Sequence, residues 1–435
     1  MKNKHVILIA LLAGGLTFVQ AQDGTVVQGN NLAEKLDWLN VFAQSNTSYI
    51  IEVRANESVF TQYNLGYSGK NNITITLRGV GANRTISSGF TVGSGATLVL
   101  DNNITLSQGV AVNDGGSFIM NNGSAITSVS SYYNGVAIKY GTFTMNGGTI
   151  SGNSGRGVYV ESGTFTMNGG TISRNTTDRG GGGVSVGSGT FTMTGGTISG
   201  NTAGRGGGVF VERGTFTMSD GTISGNTARE GGGVFVERGT FTMSGGTISG
   251  NISEGGMTAN GGGVSVERGT FTMEGGTISG NISEGGMTVD AGGGGVSVGS
   301  GTFTMTGGTI SGNTAGRGGG VFVSNGTFTM NNGTISGNTA RVDGGGVSVM
   351  IYGNYFKGTF TKTGGTIYGY SANDTVNSNV VRNDAGTVQN YKGHAVYAGS
   401  TETLLKIREG TAGPEDIMTY DGTQIPPTAS GAWDN

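Results

Sequence analysis

Gly214-Thr-Phe-Thr-Met-Ser-Asp-Gly-Thr-Ile-Ser-Gly-Asn226 decides the fold, because the chain keeps returning to it. Gly-Thr-Phe-Thr begins at Gly141, Gly163, Gly189, Gly214, Gly239, Gly269, Gly301, Gly326 and Gly358, at spacings of 22, 26, 25, 25, 30, 32, 25 and 32 residues. A period of this size marks a solenoid, in which each repeat is one structural unit stacked on the last. Within a unit, Phe216 and Met218 flank Thr217, Ile223 sits between Thr222 and Ser224, and Val209 and Val211 flank Phe210. All three segments alternate with period two, as short strands with one buried face do. Paired or tripled glycines separate them, and a helix would not survive that content. Three short strands joined by bends close one turn of chain, and stacked turns give a parallel β-helix with rungs about 4.8 Å apart. A propeller blade needs about 40–45 residues and four strands, so that architecture is rejected.

The alternation assigns the core. Phe143, Phe165, Phe191, Phe216, Phe241, Phe271, Phe303 and Phe328 form one column, and the methionines two residues later a second. Ile150 to Ile335 form a third, and the Val-x-Val pairs a fourth and a fifth. One rung's apolar burial cannot offset the entropy of ordering about 25 residues, so rungs must fold together. Asn153, Asn175, Asn201, Asn226, Asn251, Asn281, Asn313 and Asn338 recur at one offset after Ile-Ser-Gly or Ile-Ser-Arg. Asparagine tolerates a left-handed bend, and its amide can bond to the amide one rung away, so these are read as a structural ladder.

Around the repeats, residues 1–21 carry Lys2 and Lys4, an apolar run Val6–Leu12 and Val19-Gln20-Ala21. This pattern is that of a signal peptide removed after Ala21, and the run is too short to span a bilayer in the mature chain. Residues 22–60 form an N-terminal cap. Its helix spans about 32–44, with Asn31 as cap and Glu34 reaching back, and Leu32, Leu36, Leu39 and Ala43 as its apolar stripe. Residues 61–140 read as irregular early rungs and 141–370 as regular repeats. At 371–435 the pattern decays into degenerate rungs and a tail with Pro414, Pro426 and Pro427. Lys362 stands in the methionine column and Tyr370 in the asparagine column, so the regular core is expected to end there. The segment after the repeats has no series of ten-residue alternating strands of the kind that builds an outer-membrane barrel.

Composition excludes several classes. Cysteine is absent, which removes disulfides and thiolate metal sites. The net charge of −3 gives no basic face for nucleic acid. Ninety glycines without a Gly-X-Y period exclude collagen. His394 is the only histidine outside the signal segment, so neither a histidine metal cluster nor a catalytic dyad is expected. No catalytic, cofactor or metal residue is assigned. Glu161, Glu212, Glu237 and Glu267 recur after Val-x-Val, three of them beside Arg213, Arg238 and Arg268, and should form a surface column. Phe210, Phe235 and Phe322, central in Val-Phe-Val, should point outward as an interrupted apolar stripe, with Tyr159 in the same place. These two features are the candidate surface binding strip. Further aromatics at Tyr132, Tyr133, Tyr352, Tyr355 and Phe356 are candidates for stacking on sugars.

Ile223-Ser-Gly-Asn-Thr-Ala-Arg-Glu-Gly-Gly-Gly-Val234 resembles the FxxN…GGAI repeat of chlamydial polymorphic outer membrane proteins, with Ile for Phe and Gly-Gly-Gly-Val for Gly-Gly-Ala-Ile. The wider chain resembles Gly-Thr-rich β-helix proteins exported by treponemes. The resemblance implies a right-handed, single-stranded, pectate-lyase-like solenoid, secreted or at the cell surface, often an adhesin; chlamydial relatives also carry a C-terminal autotransporter barrel. The fold expected is therefore all-β, with about three short strands per rung and a capping helix. The role expected is surface display or adhesion without catalysis, toward a host glycan, a matrix protein or an envelope component. A polysaccharide lyase or hydrolase and a purely structural envelope component are the alternatives.

Overall fold

The computed structural model describes residues 19–21, 24–58, 62–67, 69–130, 134–255, 261–284, 292–352, 356–389, 392–399, 404–408 and 418–420. Within these, the chain coils into an all-β, right-handed parallel β-helix. Each repeat lays its Thr-Phe-Thr-Met strand in a first sheet, its Thr-Ile-Ser strand in a second and its Val-x-Val strand in the last. Pairing keeps like beside like: Phe191 lies by Phe216 and Phe216 by Phe241, Ile198 by Ile223, and Val209 by Val234. The Phe, Met, Ile and Val columns are fully buried. The glycine that opens the motif is set by packing. A methyl group on Gly214 would stand 2.7 Å from Val186 Cγ1 of the preceding rung, closer than carbon atoms approach.

A sheet that the three-strand pattern did not include lies between the second and the last. Its strands include Thr202–Arg205, Thr227–Glu230, Thr314–Arg317 and Thr339–Asp343, following the asparagine bend in the later rungs. The bend itself differs from expectation. The asparagines are not left-handed; the residue before each one is, as at Gly225 (φ 61°) and, without glycine, at Arg174 (φ 54°). This frees the asparagine side chain to point inward. Asn226 Nδ2 donates to Asn251 Oδ1 at 2.9 Å, and the same bond recurs along the column. All eight asparagines are buried.

The early rungs continue the columns in other residue types. Phe143 pairs back to Phe118, then Leu98, Ile75 and Tyr49, while Met145 pairs back to Met120, Leu100, Leu77 and Ile51. The helix spans Leu32–Phe42, and Asn31 Oδ1 accepts from the Glu34 N–H. Leu32, Leu36 and Leu39 join the core, and Lys35 is buried with Nζ donating to Glu52 O at 2.7 Å. Burial holds the Lys35 ammonium below its usual pKa, with Arg54 adding to the effect.

The expectation that the regular core ends at Lys362 is corrected. Thr359–Lys362 pairs in parallel with Thr327–Met330, and Lys362 is fully buried in the methionine column, where its aliphatic stem fills the place of the thioether. Nor does the asparagine column stop at Tyr370. The chain loops out after Ile367, and Asn379 returns to accept from Asn338 Nδ2 at 2.9 Å. His394 is structural: it is buried, and its Nδ1 accepts from the Val381 N–H at 3.0 Å. Antiparallel strands finish the stack. Leu404–Arg408 lies on Val396–Gly399, Met418–Tyr420 on Thr359–Lys362, and at the other end Val19–Ala21 on Gly24–Val26. These cover edges that would otherwise template further pairing. Most of the signal segment, the cleavage-side Gln22, Tyr132, Tyr133, Tyr355 and the three prolines lie outside the described residues.

Truncating one inward ring tests this packing against the outer face. Phe216→Ala should cost about 3–5 kcal/mol in equilibrium denaturation, because the neighbouring rungs hold the cavity open. Thr217→Ala, on the outer side of the same strand, should stay within about 0.5 kcal/mol.

Candidate functional site

Phe210 and Phe235 do point away from the coil's interior, but the expected exposed stripe is not what they form. Phe235 and Phe322 are buried and Phe210 is half-buried. The added sheet and its loops cross the outer side of the Val-x-Val strands and cover the rings. A methyl group on Gly180 would lie 2.7 Å from the Phe210 ring, which is how closely the backbone approaches it. The rings of Phe210 and Phe235 stack at 5.8 Å, and the Arg205 guanidinium sits 5.4 Å from the Phe235 centroid. Two rungs before Phe210, Arg156 sits 4.8 Å from the Tyr159 centroid while its Nε donates to Gly180 O at 2.8 Å.

Around Phe210 this cover is incomplete and leaves a cleft of about 530 Å3. Asp178, Arg179, Arg205, Arg229 and Glu230 line it together with the aromatic ring. Arg205 and Glu230 pair across adjacent rungs at 3.2 Å. Burial raises the Glu230 carboxyl above its usual pKa; Arg205 opposes the rise and Glu267 adds to it. Charged groups of both signs thus gather beside a half-exposed ring.

The duplicated sequence provides an internal comparison. Gly180–Val211 and Gly292–Val323 are identical. In the first copy the Arg205 side chain is 52% exposed; in the second, Arg317 is 5% exposed and pairs with a buried Asp343. Ser348 Oγ donates to Asp343 Oδ1 at 2.6 Å, and Tyr397, beside Ser348 on the next strand, has its hydroxyl pKa raised by burial, with Asp343 adding to the rise. The extra residue in Thr339–Asp343 shifts register against Arg317 and turns an open pair into a sealed one. The exposure of this arginine is therefore set by residues outside the identical stretch and not by the repeat itself.

The Glu–Arg column is a set of local pairs. Arg213 meets Glu212 at 3.1 Å, Arg238 meets Glu237 at 3.5 Å and Arg268 meets Glu267 at 3.8 Å, each within its own rung, with the arginines exposed and the glutamates half-buried. Such pairs contribute about 0–1 kcal/mol. Glu161 lies at the same offset, half-buried. Among the described residues, no three His, Cys, Asp or Glu side chains gather into a metal-binding group, and no helix is long and apolar enough to cross a membrane. Sequence reasoning singled out Phe210 but missed Arg179, Arg205, Arg229 and Glu230, because they belong to the strands and loops of the added sheet. No family model matches the chain, no curated protein is similar to it, and no solved structure matches it.

A raised Glu230 pKa means that the folded state binds this proton more tightly than the unfolded one. Its contribution to stability is full below the usual 4.5 and is lost as pH rises through the folded value. Denaturation curves of wild type and Glu230→Gln across that range should therefore shift in favour of the variant as pH increases.

Proposed function

We propose that this chain is an exported β-helix that displays a binding surface for adhesion and does no chemistry on its ligand. The observation that carries the reading is the open cleft around Phe210. A half-exposed ring with arginine and carboxylate groups beside it suits a polyhydroxylated ligand, whose apolar patches can rest against the ring's open edge while its hydroxyls hydrogen-bond to the charged groups. Glycans have that character, whether on a host cell, in a matrix or in an envelope. The repeat's likeness to the chlamydial FxxN…GGAI pattern and the leader-like segment 1–21 support placement outside the cytoplasm.

One observation favours a carbohydrate-active enzyme as the second reading. A carboxyl held protonated by burial within a cleft is the starting point for general acid catalysis, and Glu230 has that tendency. Hydrolysis of a glycoside would need a second carboxylate at a defined separation across the bond, and the salt bridge to Arg205 works against Glu230 as a proton donor.

The purified chain on immobilised glycans and matrix proteins, with polysaccharide turnover followed in parallel, separates the two. Adhesion predicts saturable binding without turnover. Phe210→Ala should weaken it by roughly 1 kcal/mol or more, as truncation of an aromatic anchor at a binding surface does. Turnover abolished by Glu230→Gln would establish the enzyme instead, and the absence of both would leave only the structural envelope role.

A further inference from the structure

In the regular repeats the outer face of the first sheet carries a single residue type. At nine successive rungs both outward positions are threonine, from Thr142 and Thr144 to Thr359 and Thr361. The rung most changed inside, where Lys362 replaces methionine, keeps both. The first position of the pair is exposed in most rungs and the second is half-buried. No charged side chain stands in either column; the Glu–Arg pairs lie to one side, before the glycine that opens each strand.

The phenylalanine between each pair of threonines reports how regular this face is. From Phe143 to Phe328 the ring centroids are 4.7–4.8 Å apart, and successive ring planes differ by 4–6°. Adjacent strands of ordinary sheets rotate by about 20–25°. This face is therefore flat along its length. The second repeat runs along each strand, where alternate side chains stand about 6.6 Å apart. Hydroxyl and methyl groups thus occupy a two-dimensional lattice on a rigid support. Threonine's branched β-carbon restricts its rotamers, so the lattice is set before any ligand arrives.

A lattice of this kind is wasted on a small ligand and lacks the cations that an anionic polymer needs. It suits a neutral, flat ligand that is itself periodic in two dimensions. Crystalline water meets that description, and its principal surface repeats lie close to both spacings. Hydroxyls can hold waters at lattice positions while the methyls between them confine those waters, and no charge has to be desolvated. We propose that the threonine face binds ice. The proposal concerns a different sheet from the cleft and does not depend on the reading given to it.

The test is ice growth in the presence of the full chain, read as thermal hysteresis and crystal shaping, beside the double variant Thr217→Lys, Thr242→Lys. Wild type should halt growth and facet the crystals. The variant, with an unchanged circular dichroism spectrum, should lose both effects. Unshaped ice and no hysteresis with wild type would overturn the proposal, as would equal activity in the variant. Sedimentation of the same two proteins covers the remaining occupant. A dimer that the lysines break, without ice activity, would assign the face to a second copy of the chain and also overturn the proposal.

Discussion

A buried asparagine amide that only its neighbours can satisfy is the constraint on which the stack depends. Asn226 donates through Nδ2 to Asn251 Oδ1 and to Ile198 O, and through its own N–H to Asn251 Oδ1. Its Oδ1 accepts from both the N–H and the Nδ2 of Asn201. One side chain thus joins the rung before to the rung after. Each donor left without a partner in that interior would cost about 1–3 kcal/mol. A single rung therefore cannot be satisfied by itself, which is the polar counterpart of its inability to bury a core.

Regular geometry follows from that requirement. Amides that must meet at 2.7–2.9 Å in every rung leave little room for rotation between rungs, and the phenylalanine rings stack at nearly constant spacing beside them. The ladder also has defined ends. Val129 N–H donates to Asn153 Oδ1 at one end, and Asn379 Nδ2 donates to Tyr368 O at the other. Before Val129 the stack continues through the early rungs to the helix, and after Asn379 antiparallel strands finish it. Function, on this account, is placed where the repeat is interrupted or left uncovered, because identical rungs offer no unlike residues to converge.

The inward columns were legible in the sequence, since Phe-Thr-Met and Val-x-Val show period two and cannot present both faces to the core. The helix was legible from Asn31, Glu34 and the leucine spacing. What escaped was whatever depends on a neighbour rather than on local pattern. Thr-Ala-Gly-Arg gives no alternation, yet becomes a strand because an equivalent segment lies beside it. Asn379 joins its ladder across an excursion of the chain that hides the offset. The cleft is the clearest case. Gly180–Val211 and Gly292–Val323 read alike, and the difference comes from residues outside them: Asp178 and Arg179 line the cleft before the first copy, and the following rung brings Glu230 to one arginine and Asp343 to the other.

Hydrogen exchange on Asn226→Leu tests the central claim most directly. The leucine side chain has a similar volume but neither donates nor accepts, so Asn201 loses the acceptor for two donors, and Asn251 Oδ1 loses the Nδ2 donor while keeping the backbone N–H of residue 226. If the ladder couples the rungs, protection should fall together in the strands around Ile198, Ile223 and Ile248 and recover with distance toward both ends. Loss confined to residues beside position 226, with both neighbouring rungs protected as in wild type, would contradict the account and leave the apolar columns as the source of cooperativity.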